Sequence, residues 1–413
     1  MLIKKSYKLI EFGNKEHNII LLYLIGFFAF AMTFISSFSK NCAKLSFDQI
    51  MQKNVKSSLR RVAWFVRRSW LRVNLIDDGN FDFTEDLNTQ EVYVVETFLL
   101  SRENKICKHI YLAENLFLLS YKLHDYSKKN NLKTLRLLVH EFEQLSNTLL
   151  EYILNNYNNI DNKLDYTKIN QIKNEENLDF VKQAKNILSV FAKYISKDIY
   201  PWYIISGTFL GLHRENGFLK HDIDIDIGIN YEDIKDINQF LKDLKKLPNI
   251  SVKNIIHMPK INIKSDEITY DDRLGIIKLV DITGIQIDVF IHYKEGDKII
   301  HGSKIHQWEN SSFSLKTDML EGVEVYCPDN PEIYLNENYG DWKTPIKEFS
   351  CSTGTPNLTV AQNFFSIAFF LRRLVDITNG KETKTSFIQV LNMLKEQKVI
   401  VDNKINIPFM EVK

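Results

Sequence analysis

Aspartates and isoleucines alternate over residues 222–229. Asp222, Asp224 and Asp226 occupy every second position. The intervening and following positions are all isoleucines except Gly228, namely Ile223, Ile225, Ile227 and Ile229. Successive side chains of a β-strand point to opposite faces, so the carboxylates share one face and the isoleucines the other. The pattern therefore predicts a strand with one apolar face that can be buried and one acidic face.

The acidic face of this strand needs a positive partner. Like charges two residues apart on one face repel each other, which costs stability unless something positive lies among them. Carboxylate oxygens suit a hard divalent cation such as Mg²⁺ or Mn²⁺. We therefore treat Asp222, Asp224 and Asp226 as candidate metal ligands. The alternative is a polar, solvated edge strand that binds nothing.

A small-residue turn precedes the aspartates. Residues 202–205 are aromatic and β-branched, as in a short buried strand, and the turn Ser206-Gly207-Thr208 leads into a predicted helix over 209–215. A helix N-terminus directly after a strand offers backbone N–H groups to a phosphate. An anion cradle beside a carboxylate cluster suits a metal–nucleotide substrate.

Asp288 is a further acid in an apolar setting. The run 279–291 reads as two strands joined at Thr283-Gly284, and Asp288 lies among isoleucine, valine and phenylalanine in the second. A carboxylate there is rarely buried without a partner. We predict that it completes the metal site and acts as a base. The alternative is a structural ion pair with Arg273 or Lys278.

Four other residues are candidate substrate contacts. Arg214 follows the turn on the predicted helix and could clamp a phosphate in bidentate fashion, with an ordinary surface arginine as the alternative. Tyr339, Gly340 and Trp342 lie outside any periodic segment, where binding loops are usually found. We predict that they help to form the substrate pocket, although they could equally anchor that loop.

These motifs together resemble the LicD and fukutin family of phosphotransferases, which have a nucleotidyltransferase fold. The matching stretches are residues 206–214, 217–219, 224–229, 287–290 and 338–345. The resemblance implies an α+β fold with a mixed β-sheet and flanking helices. It also implies transfer of a phosphorylated alcohol, such as phosphocholine or ribitol phosphate, from a CDP-activated donor to a glycan or surface polysaccharide. Carried over residue by residue, Asp224, Asp226 and Asp288 are the metal ligands and catalytic residues.

The length of 413 residues allows two or three domains. We predict an N-terminal tail and membrane anchor over 1–45, a helical region over 46–175, the LicD/fukutin-like domain over 176–355, and a C-terminal helical extension over 356–413. The net charge of +1 gives no overall field that would attract nucleic acid, so none is expected as a partner.

Residues 19–38 carry no charge and could cross a bilayer core of about 30 Å. They predict a single-pass or membrane-associated protein, with a buried core helix as the alternative. A basic amphipathic helix over 47–72 could lie on a membrane surface or pack against the protein. Lysines flank the apolar run on both sides, so orientation is open. The catalytic domain would face the cytoplasm in a bacterium, or the Golgi lumen as a type II protein in a eukaryote.

Two other functions compete with phosphotransfer. A sugar-nucleotide glycosyltransferase also uses an Asp-x-Asp cation site, but it does not need the turn Ser206-Gly207-Thr208 before the acidic strand. A membrane-tethered scaffold whose carboxylates merely bind a cation would turn over no nucleotide donor. Release of CMP or of a nucleoside diphosphate distinguishes all three.

Overall fold

The computed structural model describes most of the second half of the chain and parts of the first. The described residues are 18–36, 108–156, 178–220, 222–345, 351, 355–378 and 384–411, together with positions 6, 9, 12, 92 and 96. The chain divides into two compact units, Met1–Tyr126 and Ser127–Lys413. The predicted amphipathic helix over 47–72 lies outside the described residues.

The first unit contains helix α1, Ile19–Ser36, and most of helix α2, Lys108–Lys128. The side chain of Asn18 accepts hydrogen bonds from the backbone N–H groups of Ile20 and Leu21 at the start of α1. The expectation of a membrane-spanning helix over residues 19–38 is not supported. Among the described residues, no helix is both long and apolar enough to cross a bilayer. The 18 residues of α1 cover roughly 27 Å at 1.5 Å per residue, less than the hydrocarbon core of about 30 Å.

The second unit carries all the described strands and, apart from α1 and most of α2, every helix whose ends lie among the described residues. Its helices are α3 Leu132–Asn155, α4 Leu178–Tyr194, α5 Ser206–Arg214, α6 Ile237–Leu244, α7 Pro331–Tyr339, α8 Phe364–Thr378 and α9 Lys384–Glu396, with a 3₁₀ turn at Tyr231–Asp233. Its strands are β1 Tyr203–Ile204, β2 Asp224–Asn230, β3 Ile250–Ile263, β4 Ile268–Asp281, β5 Gln286–Glu295, β6 Lys298–Gly302, β7 Gln307–Ser311, β8 Leu315–Leu320, β9 Val323–Pro328, β10 Leu358–Thr359, β11 Ile400–Val401 and β12 Lys404–Ile405.

Within the described residues, strands β1 to β10 form one mixed sheet. Its main order is β10-β7-β6-β5-β2-β1-β9-β8, and β4 pairs with both β5 and β3. The β2–β5 and β1–β9 pairs are parallel, whereas β1–β2 and β4–β5 are antiparallel. This sheet and the helices around it agree with the predicted architecture of a mixed sheet with flanking helices.

Strand β2 lies inside the sheet between β1 and β5, so the alternative of a solvated edge strand is wrong. Ile225, Ile227 and Ile229 are completely buried in the main core, as the alternation predicts. Ile223 departs from the prediction, because it precedes β2 and is 64% exposed. Burial of the other three isoleucines fixes the register of β2, because a slip of one residue would turn the aspartates into the apolar core. The apolar face of β2 thereby determines where its carboxylates point.

The segment that contains Tyr339 differs from the prediction. Tyr339 is the last residue of α7 rather than part of a loop, and Gly340 follows it with a φ of 66°. The start of α7 has a clear sequence signal, because the side chain of Asn330 caps the helix and Pro331 occupies its first turn. The helix itself has almost no apolar periodicity, so the pattern of its residues does not predict it.

Candidate active site

The parallel pairing of β2 and β5 brings acids from two distant segments together. Asp226 lies directly opposite Asp288, and Asp224 lies opposite Gln286. On β5, Ile287 and Val289 are buried in the core, so Asp288 points to the other face. The sheet therefore gathers carboxylates 62 residues apart in sequence on one surface.

Burial and mutual repulsion both act on the acidic cluster, which consists of Asp222, Asp224, Asp226 and Asp288. Burial raises the pKa of Asp224 to about 7, and the charges of Asp222 and Asp288 add to the shift. Burial and the neighbouring carboxylates likewise raise the pKa of Asp226 well above its ordinary value. The side chains of Asp222 and Asp224 hydrogen-bond to each other, which requires a proton on one of them. The cluster therefore favours a proton or a cation among its oxygens.

The turn before α5 holds the acidic strand in place. The Gly207 N–H donates to Asp226 Oδ2 at 3.0 Å, and the Asp226 N–H donates to Thr208 Oγ1 at 2.8 Å. A Cβ atom at Gly207 would lie 2.9 Å from Asp222 Oδ2 and 3.3 Å from Asp226 Oδ2. Only glycine permits this close approach of backbone to carboxylates.

This geometry refines the predicted phosphate cradle. The N–H of Gly207 binds a carboxylate of the protein itself, and the side chain of Thr208 is completely buried. Ser206 adopts a left-handed conformation, with a φ of 45°, at the first position of the helix. Its N–H points to the hydroxyl of Tyr334 at 3.5 Å, the limit of a hydrogen bond. Such backbone strain is common at functional sites.

Asp288 has a cationic partner on the neighbouring strand. Lys278 of β4 lies opposite Asp288, and its Nζ is 2.5 Å from Asp288 Oδ2. The other candidate partner, Arg273, pairs with Asp271 and Glu295 instead. Asp288 is only 5% exposed, and its Oδ1 has no hydrogen-bond partner. The ion pair considered as an alternative is therefore present, but it satisfies only one of the two carboxylate oxygens.

The donor chemistry of the cluster fits a hard divalent cation. Its oxygens are carboxylates that repel one another, and the buried Oδ1 of Asp288 has no hydrogen-bond partner. The present arrangement is not a closed coordination shell, because no three His, Cys, Asp or Glu side chains in the described ranges are grouped as a metal site. Asp224, Asp226 and Asp288 remain the residues that could hold the ion.

Arg214 and His213 lie at the end of α5, away from the turn. The Arg214 side chain is 15% exposed, and its Nη2 lies 3.9 Å from Glu215 Oε1. His213 packs edge-on against Phe209, and burial lowers its pKa. The contact with Glu215 does not place Arg214 on the acids, so its role as a phosphate clamp remains a prediction.

The three predicted pocket residues Tyr339, Gly340 and Trp342 have different surroundings in the structure. Tyr339 interacts with the acidic cluster. Burial raises the pKa of its hydroxyl well above the usual range, and the charge of Asp226 adds to this shift. Trp342 instead hydrogen-bonds to Glu332 and stacks under Lys343 Nζ at 5.2 Å. Gly340 closes helix α7. Tyr339 is therefore the member of this group for which the structure shows an interaction with the acidic cluster.

A mixed sheet with acids on adjacent parallel strands, beside a turn that opens a helix, agrees with the nucleotidyltransferase-type fold that the resemblance implies. Residues 199–330 match the family model described as LicD/FKTN/FKRP, nucleotidyltransferase domain. This part of the chain is accordingly a LicD-family domain, and it includes every member of the acidic cluster.

Several curated proteins are similar to part of this chain. The chain is 26% identical over 186 residues to the mouse ribitol-5-phosphate transferase FKTN, covering 43% of this chain and 37% of the relative. The human FKTN is 26% identical over 191 residues, 44% of this chain and 38% of its own length. An uncharacterised protein of Rickettsia typhi is 30% identical over 154 residues, 36% of this chain and 42% of that protein. The chain thus spans less than half the length of these relatives.

Proposed function

We propose that this protein is a cation-dependent phosphotransferase that moves a phosphorylated alcohol from a CDP-activated donor to a glycan acceptor. Ribitol phosphate is the group suggested by the name of the FKTN relatives, and phosphocholine is a second candidate. The observation that carries the proposal is the placement of Asp226 opposite Asp288 within a LicD-family domain.

Transfer of this kind breaks one phosphorus–oxygen bond and forms another. The oxygen of an acceptor hydroxyl attacks the phosphorus that carries the alcohol, and the bond from that phosphorus to the CMP oxygen breaks. The acceptor proton must be removed, and the charge on the departing CMP must be stabilised.

The residues of the chain divide these tasks in our proposal. Asp224, Asp226 and Asp288 would hold Mg²⁺ or Mn²⁺, which supplies positive charge to the donor phosphates. Asp288 Oδ1 is buried and has no hydrogen-bond partner, so it could also accept the acceptor proton. Gly207 and Thr208 fix Asp226 through the hydrogen bonds of the turn. Tyr339 would border the substrate on the same side as the acids.

A donor screen tests this function. The purified chain is incubated with CDP-ribitol, CDP-choline and a set of sugar nucleotides in the presence of Mn²⁺, with candidate glycans as acceptors. Release of CMP from a CDP-alcohol supports phosphotransfer. Release of a nucleoside diphosphate from a sugar nucleotide identifies a glycosyltransferase instead, and turnover of no donor favours a binding protein.

A further inference from the structure

One cationic side chain enters the acidic cluster, and the proposed function assigns it no task. Lys278 on β4, Asp288 on β5 and Asp226 on β2 are aligned across three adjacent strands of the sheet. The lysine Nζ contacts only one of the two Asp288 oxygens, while the buried second oxygen has no hydrogen-bond partner.

The charge of Lys278 acts on more than Asp288. Its Nζ lies 2.5 Å from Asp288 Oδ2, and Asp288 lies directly opposite Asp226 on the next strand. The lysine ammonium, which is charged at neutral pH, therefore offsets part of the repulsion among the neighbouring carboxylates. The Lys278 side chain is 28% exposed, compared with 7% for the Asp288 side chain, so its flexible stem has access to solvent.

An ammonium group and a divalent cation cannot use the same carboxylate without opposing each other. Both are positive, and both gain their energy from the oxygens of Asp288 and its neighbours. Removal of either partner from a buried ion pair leaves an uncompensated charge, which is strongly destabilising. The carboxylate therefore needs Lys278 as its positive partner when no cation is bound, whereas a bound cation can take that part itself.

We propose that Lys278 is a resident counter-charge, which holds Asp288 in the cation-free protein and is displaced from that carboxylate when a divalent cation binds. The inference rests on the cation site of the proposed function. Lys278 is thus a positioning residue that acts through Asp288, with no contact of its own to the reacting atoms.

A thermodynamic cycle gives this role a distinctive signature. Loss of the lysine charge should destabilise the cation-free protein and leave the cation-bound protein nearly unchanged, because the pair is already broken there. The same loss should strengthen cation binding, since no competing positive charge has to be displaced. A purely structural ion pair would lower stability in both states and would not raise cation affinity.

The test uses the full chain and Mn²⁺ alone, with no donor or acceptor. Melting temperatures of wild type and Lys278→Met are compared in chelator and in saturating Mn²⁺, and Mn²⁺ affinity is measured by calorimetry. We expect the variant to melt lower in chelator, to match wild type in Mn²⁺, and to bind Mn²⁺ at least about tenfold more tightly. Lys278→Gln keeps a hydrogen-bond donor without the charge, and should show the same gain in affinity if Lys278→Met fails to fold.

Lys260 provides a matched control. It pairs with Glu295 at 2.7 Å, and its side chain is 32% exposed, close to the value for Lys278. Lys260→Met should lower the melting temperature equally with and without Mn²⁺, and should leave Mn²⁺ affinity unchanged.

Three outcomes would overturn the inference. One is an equal loss of stability by the Lys278 variants in chelator and in Mn²⁺. Another is a Mn²⁺ affinity that is unchanged or weaker. The third is wild-type protein that binds no Mn²⁺, which would also remove the cation from the proposed function. Because no donor is present, the first two results leave the proposed phosphotransfer standing.

Discussion

Two clusters of titratable side chains lie four residues apart on the same face of β5. Asp288 belongs to the acidic cluster, whereas His292 belongs to a histidine cluster formed with His301 and His306. Burial shifts the pKa values of both groups, but in opposite directions. It raises the pKa of Asp224 to about 7 and lowers the pKa of His292 to about 3.

The neighbours of the two clusters explain why only one of them is suited to chemistry. The ring of His292 lies 4.4 Å from that of His301, which also stacks on Trp308 and packs edge-on against Phe290. A neutral imidazole tolerates these aromatic surroundings, and its charge is simply suppressed. The carboxylates cannot all be neutral or all be charged without cost, so they require a partner. The comparison therefore predicts that the reactive region of the proposed site ends before His292.

The largest expected effect is the loss of transfer on removal of a central charge. Asp226→Asn keeps an oxygen that can accept from the Gly207 N–H, so the fold should survive. We expect CMP release to fall by about 10³-fold, because charge stabilisation at the transferred phosphate is lost. The control is Asp318→Asn on β8, which lies outside the acidic cluster. A folded Asp226→Asn variant with near wild-type turnover would exclude the acidic cluster as the active site.

Asp288→Asn should have the next largest effect. The substitution preserves size and one acceptor oxygen but removes charge and basicity, so we expect turnover to fall by at least ~10²-fold. Calorimetry should also show weaker Mn²⁺ binding by the same variant. If its melting temperature falls while turnover per folded molecule is preserved, Asp288 serves only its ion pair with Lys278.

The pH dependence of stability should separate the two clusters in chelator. The folded protein binds more protons at Asp224 between the ordinary pKa of 3.8 and about 7, so this group lowers stability as pH rises through that range. The unfolded chain binds more protons at His292 between about 3 and 6.5, so this group lowers stability as pH falls. In wild type the two effects oppose each other between about pH 4 and 6.5.

Asp224→Asn removes the first effect and exposes the second. Its melting temperature should exceed that of wild type at pH 8, by about 2–4 °C for each kcal/mol of burial cost and repulsion that the substitution relieves. It should also fall more steeply than wild type when the pH drops below about 6.5. Thermal scans from acid to alkaline pH check both limbs. Parallel curves for the two proteins would mean that Asp224 is not perturbed as described.

The smallest expected effect on turnover is in the histidine cluster. His301→Phe preserves an aromatic ring between Phe290 and Trp308, and no catalytic step uses this imidazole. We expect turnover per folded molecule to change by less than about 3-fold, because a packing substitution outside the proposed site acts on stability rather than on the reaction. A loss comparable to that of Asp288→Asn would extend the reactive region along β5 and contradict the comparison.

The sequence predicted the acidic face because its signal is local. Alternation of Asp224 and Asp226 with isoleucines fixes a strand and its buried face by a period of two. The sequence alone does not choose between Lys278 and Arg273 as the partner of Asp288, because that choice depends on the register of β4 and β5. The register is set by the turn between them, where Asp281 accepts hydrogen bonds from the backbone N–H groups at positions 283 and 285.

Contacts between distant segments account for the other differences. The turn predicts backbone N–H groups that face a phosphate. The Gly207 N–H instead donates to Asp226, 19 residues later in the sequence, because α5 begins beside β2. Tyr339 belongs to α7 because the Asn330 cap and Pro331 start a helix whose apolar pattern is weak. The uncharged run over residues 19–38 predicts a membrane span, but among the described residues no helix is long and apolar enough to cross a bilayer.

The most direct test of the central claim is CMP release from a CDP-alcohol donor with and without a divalent cation. The purified protein is assayed with CDP-ribitol and a glycan acceptor in Mn²⁺, in excess chelator, and after Mn²⁺ is restored. We predict turnover in Mn²⁺, its disappearance in chelator, and its full return when Mn²⁺ is restored. Undiminished CMP release in excess chelator would show that the acidic cluster of β2 and β5 does not work through a cation.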